Sequence, residues 1–145
     1  MITPNLQKMI MDAMKARDSV RVSTLKLLSA ALNYDKIEKM SDLTEEEELN
    51  VVRKQVKQRR DSIEAYEKAG KPDMAQSEKA ELTILQEFLP PEISDEELNQ
   101  LITDSISQLN ATTMADMGKV IADVKSKNSN IDGSKLAQMV RQKLS

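Results

Sequence analysis

Residues Thr44–Gly70 read TEEEELNVVRKQVKQRRDSIEAYEKAG, and this stretch decides the fold class. Thr44 followed three residues later by Glu47 is the pattern of a capping box, in which each side chain satisfies the other residue's backbone N–H. Leu49, Val52, Val56, Ile63 and Tyr66 then recur at spacings of three and four, with Arg59 in the slot between. That is the period of one helix face, not the alternation of a strand. The acids Glu45–Glu48 fall where the positive end of a helix dipole favours them. Gly70 supplies a residue that stops the helix, and Lys71-Pro72 restarts the chain. The arginine inside the apolar stripe is expected to snorkel to water or to pair with an acid on a neighbouring helix.

The same logic extends in both directions. Upstream, Thr3-Pro4 reads as an N-cap followed by Pro at the first helical position, and Leu6, Met9, Ile10, Ala13 and Met14 form a stripe. A break or bend falls near Arg17-Asp18, after which Leu25, Leu28, Ala31 and Leu32 carry a second face to about Met40. Ser41-Asp42 is a loop. Downstream, Ala75, Leu82, Leu85 and Leu89 line a helix that stops at Pro90-Pro91. The residue before a proline avoids the helical region, so two prolines in a row mark a boundary.

Beyond it the helices shorten. Ser94 and Glu97 make another capping box, Leu98, Leu101, Ile102 and Ile106 line that helix, and Asn110 stands where a left-handed residue would end it. Thr113 and Asp116 open the next, with Met117, Val120, Ile121 and Val124 inward. Asp132-Gly133 opens the last, with Leu136, Met139, Val140 and Leu144 inward. The expectation is an all-α protein. Residues 1–92 form an N-terminal bundle of about four helices, and residues 93–145 form a small C-terminal three-helix bundle.

Composition narrows the chemistry. Apolar residues make up 39% of the 145 and aromatics only 2%, so Leu, Ile, Val, Ala and nine Met must build the core. There is no Cys and no His, which removes thiolate nucleophiles, imidazole acid–base catalysis and Cys/His zinc sites. The net charge of −3 differs from the basic balance of a dedicated nucleic-acid binder, so RNA binding would need a local patch. No apolar run reaches the roughly 18 residues of a membrane span, and Met1–Asn5 has no signal-peptide character. A cytoplasmic protein with no membrane contact, no cofactor, no metal and no evident small-molecule ligand is expected.

Several segments carry a resemblance in the right order and spacing. Lys15–Leu32 (KARDSVRVSTLKLLSAAL), Val56–Gly70 (VKQRRDSIEAYEKAG), Leu85–Glu92 (LQEFLPPE), Met114–Val120 (MADMGKV) and Ile131–Val140 (IDGSKLAQMV) together resemble the YqeY family. Where that family often has Gly, this chain has Asn110; where it often has a basic residue before Asp-Gly, this chain has Asn128-Ser129-Asn130-Ile131. The resemblance implies a module similar to the tail of the tRNA-dependent amidotransferase B subunit, which helps hold tRNA near its elbow. Related modules occur in some glutaminyl-tRNA synthetases. The family label, carbon–nitrogen ligase with glutamine as amido-N-donor, describes the complete amidotransferase. The expected reading is therefore a non-enzymatic accessory module whose partner is tRNA or a tRNA-handling protein, the alternatives being a protein–protein adaptor without RNA contact or a carbon–nitrogen ligase with glutamine as amido-N-donor that acts only with other subunits.

Candidate residues follow from charge. After Asn110, Lys119, Lys125, Lys127, Lys135, Arg141 and Lys143 face only Asp116, Asp123 and Asp132. Such a local excess suits phosphates, which position nucleic acid without reading its sequence. The competing reading is an ordinary solvated face. A second set, Arg53, Lys54, Lys57, Arg59 and Arg60, sits behind the acids Glu45–Glu48. Gly118 is unusual, because Gly inside a helix costs about 1 kcal/mol relative to Ala. Close packing of the last helix, or close approach of an RNA backbone, would account for it. No catalytic set is evident: Ser23 and Lys26 share a helix face but lack a partner, and Asp116 and Asp132 read as caps. Without aromatics near the basic sets, the expected target is the shape and phosphates of folded RNA rather than stacked single-stranded bases.

Overall fold

The computed structural model describes residues 1–128 and 130–145, so the segment around Ser129 is covered except for that residue. Among the described residues there are helices and turns but no strand. The helices are α1 (Thr3–Lys15), α2 (Ser19–Lys39), α3 (Glu45–Lys68), α4 (Pro72–Gln86), α5 (Asp95–Leu109), α6 (Met117–Lys127) and α7 (Gly133–Leu144), with a 3-10 turn at Met114–Asp116. The chain divides into two compact units, Met1–Pro90 and Pro91–Ser145. Among the described residues no helix is long and apolar enough to cross a membrane.

In the first unit α1 packs on α2, α3 pairs with α4, and α2 touches both of the latter. Its core is Leu6, Ile10, Ala13, Leu25, Leu28, Leu32, Leu43, Val51, Val52, Val56 and Leu85. Leu25 and Leu28 are wholly buried, and such burial contributes roughly 1.5–3 kcal/mol per side chain. Leu49, Ile63 and Tyr66 are only half-buried, while Val51 enters the core. Met14 is turned to solvent, since Leu6, Ile10 and Ala13 already fill the narrow face of α1.

Turns fall where local chemistry permits them. Arg17 adopts a left-handed φ of 58°, and Asp18 then caps α2 by accepting from the Arg21 N–H. The capping box of α3 is complete, with Thr44 Oγ1 accepting from Glu47 N and Glu47 accepting from Thr44 N. Ser94 caps α5 by accepting from Glu97 N. Asn110 takes the left-handed φ of 51° that its type tolerates, and Gly70 one of 71°. Met40, with no such intrinsic preference, is also left-handed at 63°.

One expected cap is replaced by a distant group. Thr3 lies inside α1 rather than ahead of it, and no local side chain caps that end. Instead Glu48 of α3, only 1% exposed, accepts from the Ile2 N–H at 2.6 Å and the Thr3 N–H at 2.9 Å through Oε2. A carboxylate at a helix N-terminus meets both orphan donors and the positive end of the dipole.

In the second unit α6 packs between α5 and α7, and α5 also touches α7. Leu98, Ile102, Ala111, Val120, Val124, Leu136, Val140 and Leu144 form the core. The Asp116 carboxylate accepts from the Thr112 and Thr113 N–H groups, and Asp132 accepts from Ser134 N, so both acids serve as caps.

Candidate nucleic-acid interface

All six basic residues of the distal segment are exposed, but the structure separates them into two kinds. Lys135 of α7 forms an ion pair with Asp95 of α5, and that pairing holds the ammonium pKa above its ordinary value. Lys127 closes on Asp123 at 3.2 Å and donates to Gln108 at 3.3 Å. Asp123 in turn is held below the usual carboxylate range by the Ser105 hydroxyl and by Lys127. These two lysines are tied to their own bundle. Among the described residues Lys119, Lys125, Arg141 and Lys143 form no ion pair. Lys119 stands near Asp116, whose pKa is lowered first by the Thr112 and Thr113 N–H groups and only slightly by Lys119.

The six do not make one stripe. At about 100° per residue, Lys119 and Lys127 are about 80° apart around α6, and Lys125 lies well away from both. Lys125 instead stands over the start of α7. Its Nζ would lie 3.5 Å from a Cβ built on Gly133. That distance is ordinary contact, so Gly133 is not demanded by space. Asp132 already caps that helix end by accepting from Ser134 N, so the Lys125 ammonium stands near a carboxylate there rather than over open backbone donors.

Gly118 departs from the packing expectation. No heavy atom lies within 4 Å of where its Cβ would stand, so the last helix does not press on it. Its absent side chain leaves an open strip on the exposed face of α6.

Charge within this unit is segregated. Over residues 91–145 there are six basic and eight acidic residues, so the positive excess of residues 111–145 belongs to a unit that is itself slightly acidic. Helix α5 carries Asp95, Glu96, Glu97 and Asp104 and no base, whereas α6 and α7 carry all six bases. The unit is therefore dipolar. Acids in the first turn of α5 match its helix dipole, and bases in the last turns of α6 and α7 match theirs.

The second basic set is largely consumed internally. Arg53 pairs with Glu46 at 2.9 Å and Lys57 approaches Asp61 at 3.5 Å. Arg59 lies between two acids of α4, with Nε 2.9 Å from Glu81 and 3.5 Å from Glu78. Pairing with a neighbouring helix is thus the role of the arginine in the apolar stripe. Ser23 donates to the Val20 carbonyl at 3.1 Å and makes no contact with a base there.

A cavity of about 360 Å³ in the first unit had no counterpart in the sequence reading. Its wall includes Leu6, Leu32, Leu43, Asn33 and Glu48, and the Lys36–Asp42 ion pair (2.9 Å) stands at it. Glu48 Oε1 is buried there without a hydrogen-bond partner. The signal was hidden because Glu48 is the last of four consecutive acids, indistinguishable in sequence from its neighbours.

The chain is similar in sequence to known proteins. An uncharacterized protein of Schizosaccharomyces pombe is 33% identical over 96 residues, covering 63% of this chain and 78% of that protein. A protein of Lachancea thermotolerans named altered inheritance of mitochondria protein 41, mitochondrial, is 31% identical over 72% of this chain and 58% of its own length. The protein of the same name from Pyrenophora tritici-repentis is 25% identical over 86% of this chain and 71% of its own length. The family model described as Yqey-like protein matches residues 3–144, and the chain belongs to the YqeY family.

Proposed function

We propose that this protein is a non-enzymatic accessory module that holds tRNA, or a tRNA-bearing protein, through phosphate contacts from α6 and α7. The observation that carries the reading is the exposed, ion-pair-free trio Lys125, Arg141 and Lys143 on the basic side of a charge-segregated bundle. Lys125 offers its ammonium beside the first turn of α7, the end that Asp132 caps. The open strip at Gly118 leaves room for a backbone to approach α6. Phosphate contact without aromatic stacking suits a folded, double-helical RNA element. The cytosolic expectation belongs with this proposal; the names of two relatives place those proteins in mitochondria.

The test is fluorescence anisotropy of the full chain with tRNA across a salt series. About three phosphate contacts give a log–log salt slope of roughly −2 to −3. Lys125→Glu/Arg141→Glu/Lys143→Glu is expected to abolish binding at low salt with helicity unchanged. Arg53→Glu/Lys57→Glu is expected to leave it near the parent value. Equal loss in both variants, or no binding by the parent at low salt, defeats the reading.

A further inference from the structure

Helix α2 is apolar on two faces. One face holds the buried Thr24, Leu25, Leu28 and Leu32. On roughly the opposite face Val20, Ser23, Leu27, Ala30, Tyr34 and Ile37 follow at spacings of three, four, three, four and three. That is an a/d heptad seam. All six are exposed, with Val20 at 43%, Leu27 at 51%, Tyr34 at 64% and Ile37 at 74%. A row of large apolar side chains at coiled-coil spacing, all open to water, marks an interaction surface rather than scattered surface residues.

The seam itself specifies what covers it. Val20, Leu27 and Tyr34 occupy one heptad position, and Ser23, Ala30 and Ile37 the other. We propose that two copies of this chain pack their α2 helices antiparallel through this seam. Val20 then meets the second copy's Ile37, Leu27 meets its Ala30, and Tyr34 meets its Ser23. Each of the two largest residues faces a small one, so the layers interdigitate. Lys26 faces the uncharged Asn33. A parallel pairing would set Tyr34 on Tyr34 and Ser23 on Ser23.

The size of the contact fixes its strength. Helix α2 has 21 residues. Such a helix is about 30 Å long and buries on the order of 600 Å² per copy, the lower edge of specific interfaces. A weak, concentration-dependent dimer follows.

The experiment uses the full chain. Sedimentation velocity over a wide concentration range should show a reversible monomer–dimer equilibrium. Leu27→Glu should leave the chain monomeric with unchanged circular dichroism, since residue 27 lies outside the core. Orientation is read with cysteines, of which the chain has none. Ser23→Cys alone should not form a disulfide, because the two thiols would lie about 11 residues, roughly 16 Å, apart. A mixture of Ser23→Cys and Tyr34→Cys should cross-link. A chain monomeric at every concentration overturns the proposal, as does a seam that cross-links Ser23→Cys to itself.

Discussion

Arg59 offers the sharpest test of what holds α3 to α4. Its side chain is 17% exposed, and those of Glu78 and Glu81 are 20% and 22% exposed. Arg59→Met keeps most of the stem but removes the charge, leaving two carboxylates one turn apart on α4 in a sheltered strip. Breaking a fully buried ion pair costs about 3–5 kcal/mol; here a fifth of each side chain still meets water, so about 2 kcal/mol is expected. For a unit of this size that lowers the melting temperature by about 10 °C. Neither Arg59 Nε nor Glu78 Oε2 completes an aligned hydrogen bond, so the attraction is mainly one of charge. Arg59→Lys should therefore retain most of the stability. Arg59→Met/Glu78→Gln/Glu81→Gln should return close to the parent, because no unpaired charge is left in the strip. Differential scanning calorimetry and urea melts of the four proteins decide the matter. An Arg59→Met protein as stable as the parent, or a triple variant no better than the single one, would refute this account.

Three further outcomes are expected. Glu48→Ala strips the acceptor from the Ile2 and Thr3 N–H groups and should cost about 1–3 kcal/mol, with amide exchange accelerating first in α1. Asp116, Asp42, Glu47 and Asp123 all titrate below their ordinary values, so their stabilisation is complete above the usual carboxylate range. It is lost as pH falls below about 4. Asp116→Asn should flatten that acid limb at any ionic strength, whereas salt should flatten chiefly the parts due to Asp42 and Glu47, whose main partners are Lys36 and Lys39. Limited proteolysis should cut near Pro90-Pro91 or at Ser41-Asp42 before any helix, and a first cut within Leu98–Ile106 would count against two separately folding units.

The helices were legible because their signals are local. The Thr44–Glu47 box, the stop at Gly70 and the left-handed Asn110 each depend on residues within one turn. Arg59 was legible as an anomaly: an apolar stripe with a charge in it demands a partner. What the sequence concealed was long-range. Glu48 looks like three neighbouring acids until α1 arrives beside it, and nothing around Met40 announces its left-handed turn. The second seam on α2 escaped notice because the buried row Leu25, Leu28 and Leu32 already accounted for that helix. The basic set needed the fold most. Only the packing of α7 on α5 reveals that Lys135 is engaged by Asp95, while Lys127 closes on Asp123 one turn earlier in α6, leaving Lys125, Arg141 and Lys143 as the better prospects for phosphate.

The cap supplied by Glu48 also sets an order of events during synthesis. The first helix leaves the ribosome well before its acceptor, since the hydrogen bond to Ile2 spans 46 residues. At about 5–20 residues per second the acceptor is delayed by roughly 2–9 s. For that interval the opening amides of α1 can bond only to water or to a chaperone, and the helix stays provisional. Its N-terminal turn is thereby among the last parts of the proximal bundle to be fixed, and a nascent chain halted before Glu48 would present α1 as a loose amphipathic end.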